Sequence, residues 1–398
     1  MNDQPPLRIV DLSTNPAGGY ATRLLAAFGA EVIKVEPPRE GDPTRAIGPF
    51  PNDRPDPNCG ATSLFLDVNK KSVTLDIAKP AGREILARLL DGTDVLMETF
   101  PPSKANELGL NYPDLEQRFP RLVLTSITPF GKDGPYRDLE ASELVLEAMS
   151  GWLFQSGEPH RMPTRTRGEL ATAMVPGLLA ASATLAALAW RASSGEGQLV
   201  EVSAMEAMLA ASRYYETTYA YRGLLISRLG TTLSPTYCYR PANDGWAALC
   251  ATTDQQRELC AHIMELSDHL NDPAFAPAAA GSNPSQSRVA DQIDHWVNQR
   301  SRGEIFHLLQ GMHVPSGYLS TADELLGLAQ LQERQAFARI DHPVAGALEY
   351  PAGPFKMGVT PFRNGRAPIL GEHNSEILLG RLGLGEDEMA HLTREGII

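Results

Sequence analysis

Three segments near the start of the chain alternate between the periodicity of a strand and that of a helix. Leu7–Leu12 is a short apolar run typical of a strand, and Ala17–Phe28 carries its large apolar residues at helical spacing. Glu31–Glu36 then returns to the strand pattern. A strand, a helix and a second strand in this order predict a β-α-β unit, whose two strands run parallel. We therefore expect an α/β fold built around a parallel sheet.

The same alternation continues along the chain. Further strands are predicted at Ser72–Asp76, Asp94–Glu98, Leu122–Ser126 and Gln198–Ser203. Further helices are predicted at Pro80–Leu90, Pro102–Leu108, Ala171–Ser193 and from Ala204 onward. The segments become shorter from about Asp244 to Glu349, with a strand predicted at Trp246–Ala251 and helices at Thr253–Leu270 and Gln286–Gln310. A chain of 398 residues is also long for a single core, so we expect a second, smaller domain there.

Charge, cysteine usage and histidine spacing argue against several classes of protein. The net charge is −13 and no run of Lys and Arg could neutralise phosphates, so no nucleic-acid or membrane partner is expected. The four cysteines show no CxxC spacing, and the nine histidines show no metal-binding pattern, so no metal is expected. The segment Met1–Pro6 has no export signal, and Met174–Trp190 suits a buried helix better than a membrane span. We therefore expect a cytoplasmic protein.

The first β-α-β unit has the layout of a dinucleotide-binding unit, because its second strand ends in the acidic residue Glu36. The turn after the first strand reads Ser-Thr-Asn-Pro-Ala-Gly-Gly over residues 13–19, which is not the GxGxxG signature. The sequence also contains no GxSxG motif of a serine nucleophile. Neither nicotinamide binding nor serine-hydrolase chemistry is predicted.

Blocks of sequence that span nearly the whole chain follow one another in a recognisable order. They are Asp11–Glu36, Gly41–Arg45, Asn69–Asp76, Asp94–Pro102, Ser126–Arg137, Glu147–Gly151, Pro163–Gly177, Ser194–Ser203 and Pro368–Asn374. In these blocks the chain resembles the family III CoA-transferases, the group of the formyl-CoA and carnitine CoA-transferases. The resemblance implies a Rossmann-like large domain at residues 1–220, a smaller α/β domain inserted at 221–345, and a return to the large domain at 346–398. It also implies a dimer of two chains interlinked like rings.

The long helix departs from this family pattern at its start. The family carries an Asp nucleophile four residues before the glycine that matches Gly177, and that position is Ala173 here. The Asp carboxylate attacks an acyl-CoA, giving a mixed anhydride and releasing CoA thiolate, whereas a methyl group cannot attack a thioester. Only a shift of about one helical turn would place an acid, Glu169, at this position. The other interpretation of Glu169 is an acid near the helix N-terminus that favours the helix dipole.

Three more positions differ from the family. Thr99, Glu107 and Pro129 stand where family members usually have Asn, Arg and Gly. The family's Arg helps to hold the anionic CoA nucleotide, so a sign reversal at Glu107 costs on the order of 1–4 kcal/mol at near-contact distance. Pro129 stiffens a loop that opens and closes in the family. The resemblance thus implies that the nucleophile and the CoA clamp are weakened together.

Other side chains persist where the family often contacts coenzyme A. They are Lys34, Arg45, Asn69, Lys70 and Lys71. The alternative is that the basic ones are solvated surface charges, and Lys71 in particular could simply support a turn before a strand. Whether this chain itself binds the CoA thioester, as substrate of a complex, stays open at this point.

The resemblance implies a subunit without the catalytic Asp in a heteromeric CoA-transferase, whose partner is an Asp-bearing homologue. Benzylsuccinate CoA-transferase of anaerobic toluene degradation, a member of this family, pairs one chain that carries the Asp with a sister chain that lacks it. Succinyl-CoA and benzylsuccinate are examples of the substrates expected. Two alternatives remain: a racemase-like enzyme of the same fold, for which Glu143 is the available acid, and a free-standing binding protein. Expression of the chain with and without an Asp-bearing homologue distinguishes them.

Overall fold

The computed structural model describes residues 6–165, 169–212, 215–228, 230, 234, 236–270 and 288–398, with the backbone alone at 169–171. The chain divides into two compact units. The first comprises Met1–Ser150, Thr166–Ser212 and Gln330–Ile398, and the second comprises Gly151–Arg165 and Arg213–Ala329.

Eleven strands and sixteen α-helices lie within the described residues. The strands are β1 (Arg8–Asp11), β2 (Glu31–Glu36), β3 (Lys71–Thr74), β4 (Val95–Glu98), β5 (Val123–Thr128), β6 (Leu199–Ser203), β7 (Tyr237–Ala242), β8 (Gly245–Cys250), β9 (Ser316–Tyr318), β10 (Phe337–His342) and β11 (Gly346–Pro351). The helices are α1 (Pro16–Ala27), α2 (Ala61–Leu66), α3 (Pro80–Leu90), α4 (Pro102–Glu107), α5 (Tyr112–Arg118), α6 (Glu143–Met149), α7 (Trp152–Gln155), α8 (Glu169–Ser194), α9 (Ala204–Ala211), α10 (Tyr215–Arg222), α11 (Asp254–Ile263), α12 (Arg288–Asn298), α13 (Arg302–Gly311), α14 (Ala322–Gly327), α15 (Ala329–Glu333) and α16 (Glu386–Arg394).

A six-stranded sheet forms the centre of the first unit, in the order β3-β2-β1-β4-β5-β6. Every neighbouring pair of these strands is parallel. The predicted parallel α/β fold is therefore confirmed. The order matches that of the doubly wound fold, in which the chain reverses its direction of winding between β1 and β4. A crevice at the carboxyl ends of these two strands is where such folds bind their ligands.

Apolar clusters cover both faces of this sheet, which explains why the strands read as nearly continuous apolar runs. On one face, side chains of α3 such as Ile85 and Leu89 pack against the strands. On the other face, α1 and α8 pack through small residues such as Ala21 and Ala180. Both faces of the sheet are therefore packed against helices.

The helix α8 has an apolar outer face as well as a buried inner face. Ala180 and Ala187 are buried in the core, whereas Leu178 and Leu185 are about half exposed. Its segment Thr172–Ser194 is, within the described ranges, the single helix whose length and composition would allow it to cross a membrane. Core helices of soluble proteins meet the same criterion, and the packing of α8 against α1 and the sheet is that of a core helix.

Side chains from the C-terminal segment take the place of a further strand beside β3. The backbone N–H of Ser72 donates to Nδ1 of His373 at 3.2 Å, and the N–H of Thr74 donates to Oδ1 of Asn374 at 2.8 Å. The N–H of His373 donates in return to the carbonyl of Ser72 at 3.0 Å. The sequence block Pro368–Asn374 therefore acts at the edge of the sheet, where it binds backbone groups that otherwise lack a strand partner.

The second unit contains a three-stranded antiparallel sheet in the order β7-β8-β9. The single helix predicted at Gln286–Gln310 is wrong: within the described residues the chain forms α12 and α13. The break occurs at Ser301, whose hydroxyl and backbone N–H exchange hydrogen bonds with Glu304 in a capping box. The helix predicted at Thr253–Leu270 is shorter than expected, because α11 ends at Ile263.

Candidate functional site

The turn after β1 and the residue after β4 meet at the point where the winding of the sheet reverses. The N–H of Thr14 donates to Oγ1 of Thr99 at 2.9 Å. Asn15 caps α1, because its Oδ1 accepts from the N–H groups of Ala17 and Gly18 at 3.1 and 3.2 Å. A Cβ atom at Gly18 would lie 2.8 Å from Cγ2 of Thr99, so only glycine allows this approach.

A group of seven charged side chains, here called the buried cluster, lies at and beside the carboxyl ends of β1 and β2. Each of these side chains is at most 2% exposed. Such burial is tolerated only when the charges pair or neutralise one another. The members of the buried cluster are Asp11, Lys34, Glu36, Asp42, Arg45, Asp67 and Lys70.

Lys34 is held inside the buried cluster by acids and by the β1–α1 turn. Its Nζ lies 2.8 Å from Asp42 and 3.8 Å from Asp11, and it donates to the carbonyl of Ser13. Burial alone would lower the pKa of Lys34, but the surrounding carboxylates, led by Asp11 and Asp42, raise it well above its usual range. Lys34 therefore stays charged, and its charge supports the turn at the carboxyl end of β1.

Arg45 forms a two-pronged pair with Glu36. Its Nε and Nη2 donate to Glu36 at 2.5 and 2.9 Å, and its other donors reach the carbonyls of Pro57 and Pro368. Burial opposes the charge of Arg45, but hydrogen bonding to Glu36 raises the pKa of the guanidinium. Arg45 thus fixes the loop after β2 to the strand and to the C-terminal segment.

Lys70 links the acids of two different segments. Its Nζ lies 3.0 Å from Asp11 and 2.9 Å from Asp67, and it also donates to the carbonyl of Gly19 at 3.2 Å. Burial would raise the pKa of Asp11, but Lys34 and Lys70 hold it well below its usual range. Asp11 is therefore ionised, and it anchors both ammonium groups beneath the β1–α1 turn.

The remaining residues predicted to contact coenzyme A also have partners within the chain. Asn69 donates to the carbonyl of Arg363 at 2.8 Å and accepts from the N–H of Gly365 at 2.7 Å. Lys71 pairs with Glu31 and Glu376 at 2.8 and 2.5 Å. The structure thus brings Lys34, Arg45 and Lys70 together in the buried cluster, and it places Asn69 and Lys71 outside it. Contact of any of them with coenzyme A stays a prediction.

Ala173 lies in the first turns of α8 and packs against the apolar cluster that α8 shares with α1. Four residues later, Gly177 lies at the crossing of the two helices. A Cβ atom at Gly177 would lie 2.5 Å from the carbonyl oxygen of Ala17 and 3.3 Å from Tyr20. The register of α8 against α1 therefore requires glycine at this position. Glu169 opens the same helix, but its side chain lies outside the described residues.

A second charged pair at the carboxyl edge was not predicted from the sequence. Glu98 ends β4 and is fully buried, and its carboxylate accepts from Nζ of Lys132 at 2.9 Å and from the N–H of Phe100 at 2.6 Å. Lys132 also donates to the hydroxyl of Ser126 at 3.1 Å. Both residues belong to recognised sequence blocks, and an acid at the last position of a buried strand is a signal that could have found Glu98.

The three further positions predicted to depart from the family pattern lie in different surroundings. Thr99 is part of the contact with the β1–α1 turn. Glu107 ends α4, is 66% exposed and pairs with Lys104 at 2.8 Å. Pro129 lies after β5, where its carbonyl accepts from the N–H of Met205 at 3.1 Å and thereby ties the loop to α9.

Metal ligands do not converge in the described part of the chain. No group of three His, Cys, Asp or Glu side chains there is placed to hold a metal ion. The carboxylates of the buried cluster are instead bound by ammonium, guanidinium, hydroxyl and backbone N–H groups.

Comparison with known proteins matches residues 6–374 to the model of CoA-transferase family III. Succinyl-CoA–D-citramalate CoA-transferase of Chloroflexus aurantiacus is 32% identical over 399 residues, covering 98% of this chain and 97% of the relative. The BbsE subunit of succinyl-CoA:(R)-benzylsuccinate CoA-transferase of Thauera aromatica is 29% identical, with coverage of 98% and 97%. The crystal structure of a CAIB/BAIF family protein from Brucella suis superposes with a TM-score of 0.81 at 26% identity, covering 94% of this chain and 98% of that one.

Proposed function

We propose that this chain, which belongs to CoA-transferase family III, is a subunit without a catalytic aspartate in a heteromeric CoA-transferase. The observation that carries the proposal is Ala173, whose methyl group packs against the apolar cluster at the position where the resemblance implies the family's nucleophile. Acyl transfer through a mixed anhydride needs a carboxylate oxygen to attack the thioester carbonyl. The partner, an Asp-bearing homologue, supplies that carboxylate.

The contact at Gly177 supports the assignment of Ala173 to the nucleophile's position. If α8 were shifted by one turn so that Glu169 took this position, Ala173 would move to the helix crossing that Gly177 now occupies. The Cβ of Ala173 would then meet the carbonyl of Ala17 at about the 2.5 Å found for a Cβ at Gly177. Real Cβ atoms do not approach a carbonyl oxygen so closely, so the shift would push the helices apart.

The charge at the end of α4 is an argument that this chain binds coenzyme A only weakly. Glu107 stands where the resemblance implies an arginine for the CoA phosphates, and it pairs with Lys104. An anionic nucleotide at this position would meet a carboxylate and would compete with that carboxylate for Lys104. A site that lacks both the nucleophile and the clamp is the combination expected of an idle subunit.

The relatives suggest the substrates and the assembly. The two relatives named above are a succinyl-CoA-dependent transferase and a subunit of another one, so succinyl-CoA is the proposed CoA donor of the complex. The acceptor is proposed to be a carboxylic acid of the benzylsuccinate type. The assembly is proposed to be a heterodimer, or a dimer of heterodimers, of interlinked chains in the cytoplasm. Coenzyme A thioesters are the substrates of the family.

Co-expression with an Asp-bearing homologue tests this proposal. The purified complex should transfer CoA from succinyl-CoA, and the chain expressed alone should not. Replacement of the partner's nucleophilic aspartate by asparagine should reduce turnover by at least about 10³-fold, because the attacking group is lost. Ala173→Asp in this chain should change turnover of the complex by less than about twofold, with Ala173→Asn as the control for size.

Covalent trapping distinguishes the possible outcomes. Hydroxylamine captures the anhydride, and mass mapping should place the label on the partner alone. A label on Glu169, or turnover by the isolated chain, would contradict the proposal. Ala173→Asp in the isolated chain should not restore activity, whereas Ala173→Asp with Glu107→Arg restores both the carboxylate and the clamp. Any activity gained by the isolated chain should therefore require both substitutions.

A further inference from the structure

The buried cluster contains more acids than bases. Four carboxyl groups face three cationic groups, and no member is more than 2% exposed. Taking one uncompensated charge into the interior costs several kcal/mol, and buried groups usually neutralise themselves by binding or losing a proton instead. The cluster becomes neutral if one of its carboxyl groups keeps a proton.

The four carboxyl groups differ in how well they are hydrogen-bonded. Asp11 accepts from two hydroxyls, a backbone N–H and Lys70. Glu36 accepts the two donors of Arg45 and two further bonds, and Asp42 accepts a hydroxyl, a backbone N–H and an ammonium group. Asp67 accepts from Lys70 alone, and its Oδ2 has no hydrogen-bond partner within the described structure. Asp67 is therefore the carboxyl group least suited to carry a full negative charge.

Charged groups of three neighbouring segments act on Asp67. Lys70 comes from its own turn, Lys34 and Glu36 from β2, and Arg45 from the loop that follows β2. Asp11 of β1 shares Lys70 with it. Burial raises the pKa of Asp67, and the ammonium groups of Lys70 and Lys34 offset this only in part.

We propose that Asp67 holds a proton in the folded protein at neutral pH, and that this proton makes the buried cluster a pH-sensitive support of the β1–α1 turn. The ammonium groups of Lys34 and Lys70 bond the carbonyls of Ser13 and Gly19, which flank that turn. Loss of the proton gives the cluster that holds both ammonium groups an uncompensated negative charge. The turn at the carboxyl end of β1 then loses part of its support as the pH rises.

The direction of the effect follows from the raised pKa. A carboxyl group that binds its proton more tightly in the folded state stabilises the fold fully below its unfolded pKa, near 3.9. That contribution is lost as the pH rises through the pKa of the folded state. The proton on Asp67 therefore makes the fold sensitive to alkali, whereas a salt-bridged carboxylate makes a fold sensitive to acid.

Two matched substitutions test the proposal. Asp67→Asn reproduces the neutral acid in shape and still accepts from Lys70. The melting temperature of the wild type should fall by about 2 °C or more between about pH 7 and about pH 9, whereas that of Asp67→Asn should stay constant over the same range. Asp42→Asn, in the same buried cluster, should lower the melting temperature throughout this range. If Asp67→Asn is destabilised throughout, as Asp42→Asn is, Asp67 is ionised and the proposal fails.

A spectroscopic measurement gives an answer even if a variant folds poorly. The folded wild-type chain at neutral pH should show the infrared carbonyl band of a buried protonated carboxyl group, which shifts in deuterium oxide. The band should disappear in Asp67→Asn and remain in Glu107→Gln, a control at an exposed carboxylate. A wild-type spectrum without this band, or a band that survives Asp67→Asn, would overturn the assignment of the proton to Asp67.

Discussion

The buried cluster and the start of α8 differ sharply in their chemistry. In the buried cluster, the carboxyl groups, including that of Asp11, are bound by ammonium, guanidinium and hydroxyl groups. At the start of α8, Ala173 offers a methyl group to an apolar cluster, and Gly177 offers no side chain at all. A carboxylate that neutralises buried cations is part of the fold, because its loss leaves them unpaired. A catalytic carboxylate has no such partners, so a chain can lose it and keep the fold.

The strongest test of this comparison changes the polarity of one residue in each region. Asp11→Asn should lower the free energy of unfolding by about 3–5 kcal/mol, because Lys34 and Lys70 both lose their shared acid. Ala173→Ser should change it by less than about 1 kcal/mol. Urea unfolding of the two variants checks this. Equal losses would mean that the two regions are equally needed for folding.

The second prediction sharpens the comparison at the helix crossing. Gly177→Ala should destabilise the protein by about 1–3 kcal/mol, because the added Cβ meets the carbonyl of Ala17 and the helices must separate. Gly303→Ala is a suitable control, since a Cβ atom there has open space around it. Thermal unfolding measures both. A neutral Gly177→Ala would show that the crossing leaves room for a side chain and would weaken the register argument for Ala173.

The third prediction concerns the effect of acid on His373, which binds Ser72 next to the buried cluster. Burial lowers the pKa of His373, whose Nδ1 accepts from the N–H of Ser72 and must be unprotonated to do so. This contribution to stability is present above about pH 6.5 and is lost as the pH falls from there through the lowered pKa of the folded state. The expected loss is about 1 kcal/mol.

A titration of stability against pH checks this third prediction. His373→Asn keeps an acceptor near the same place but does not titrate, so its stability should fall less between about pH 7 and about pH 5 than that of the wild type. His391→Asn, at an exposed histidine of α16, should follow the wild-type curve. The same loss in all three proteins would place the acid sensitivity elsewhere.

Most of the central sheet could be predicted from local sequence. The strand at Glu31–Glu36 and the helix at Pro80–Leu90 have the predicted bounds, because alternation, proline at a helix start and apolar spacing are encoded within a few residues. The predicted helix at Gln286–Gln310 was wrong, although Ser301 and Glu304 carry a capping-box signal that apolar periodicity does not register.

The sequence predicts the basic residues of the buried cluster and does not predict their acidic partners. The sequence predicts Lys34 and Arg45 as candidate site residues, but only the structure shows the acids that they meet, because these acids come from distant segments of the chain. Lys70, for example, meets Asp11 across 59 positions of sequence. Asp67 gave no signal, because its unusual character arises from a missing hydrogen bond, which no sequence pattern encodes. The sequence predicts the departure from the family pattern at Ala173, because this residue lies within a recognised block and such a block is local.

The side chains that border β3 have a consequence for the behaviour of the protein in concentrated solution. An open edge strand offers a row of free N–H and C=O groups on which a foreign strand can add, and such edges seed aggregation. Here His373 and Asn374 occupy the N–H groups of Ser72 and Thr74. These two side chains therefore block the addition of a foreign strand at this edge of the sheet. A nascent chain has an open template at β3 until residues 371–374 have been synthesised and have folded back onto the sheet.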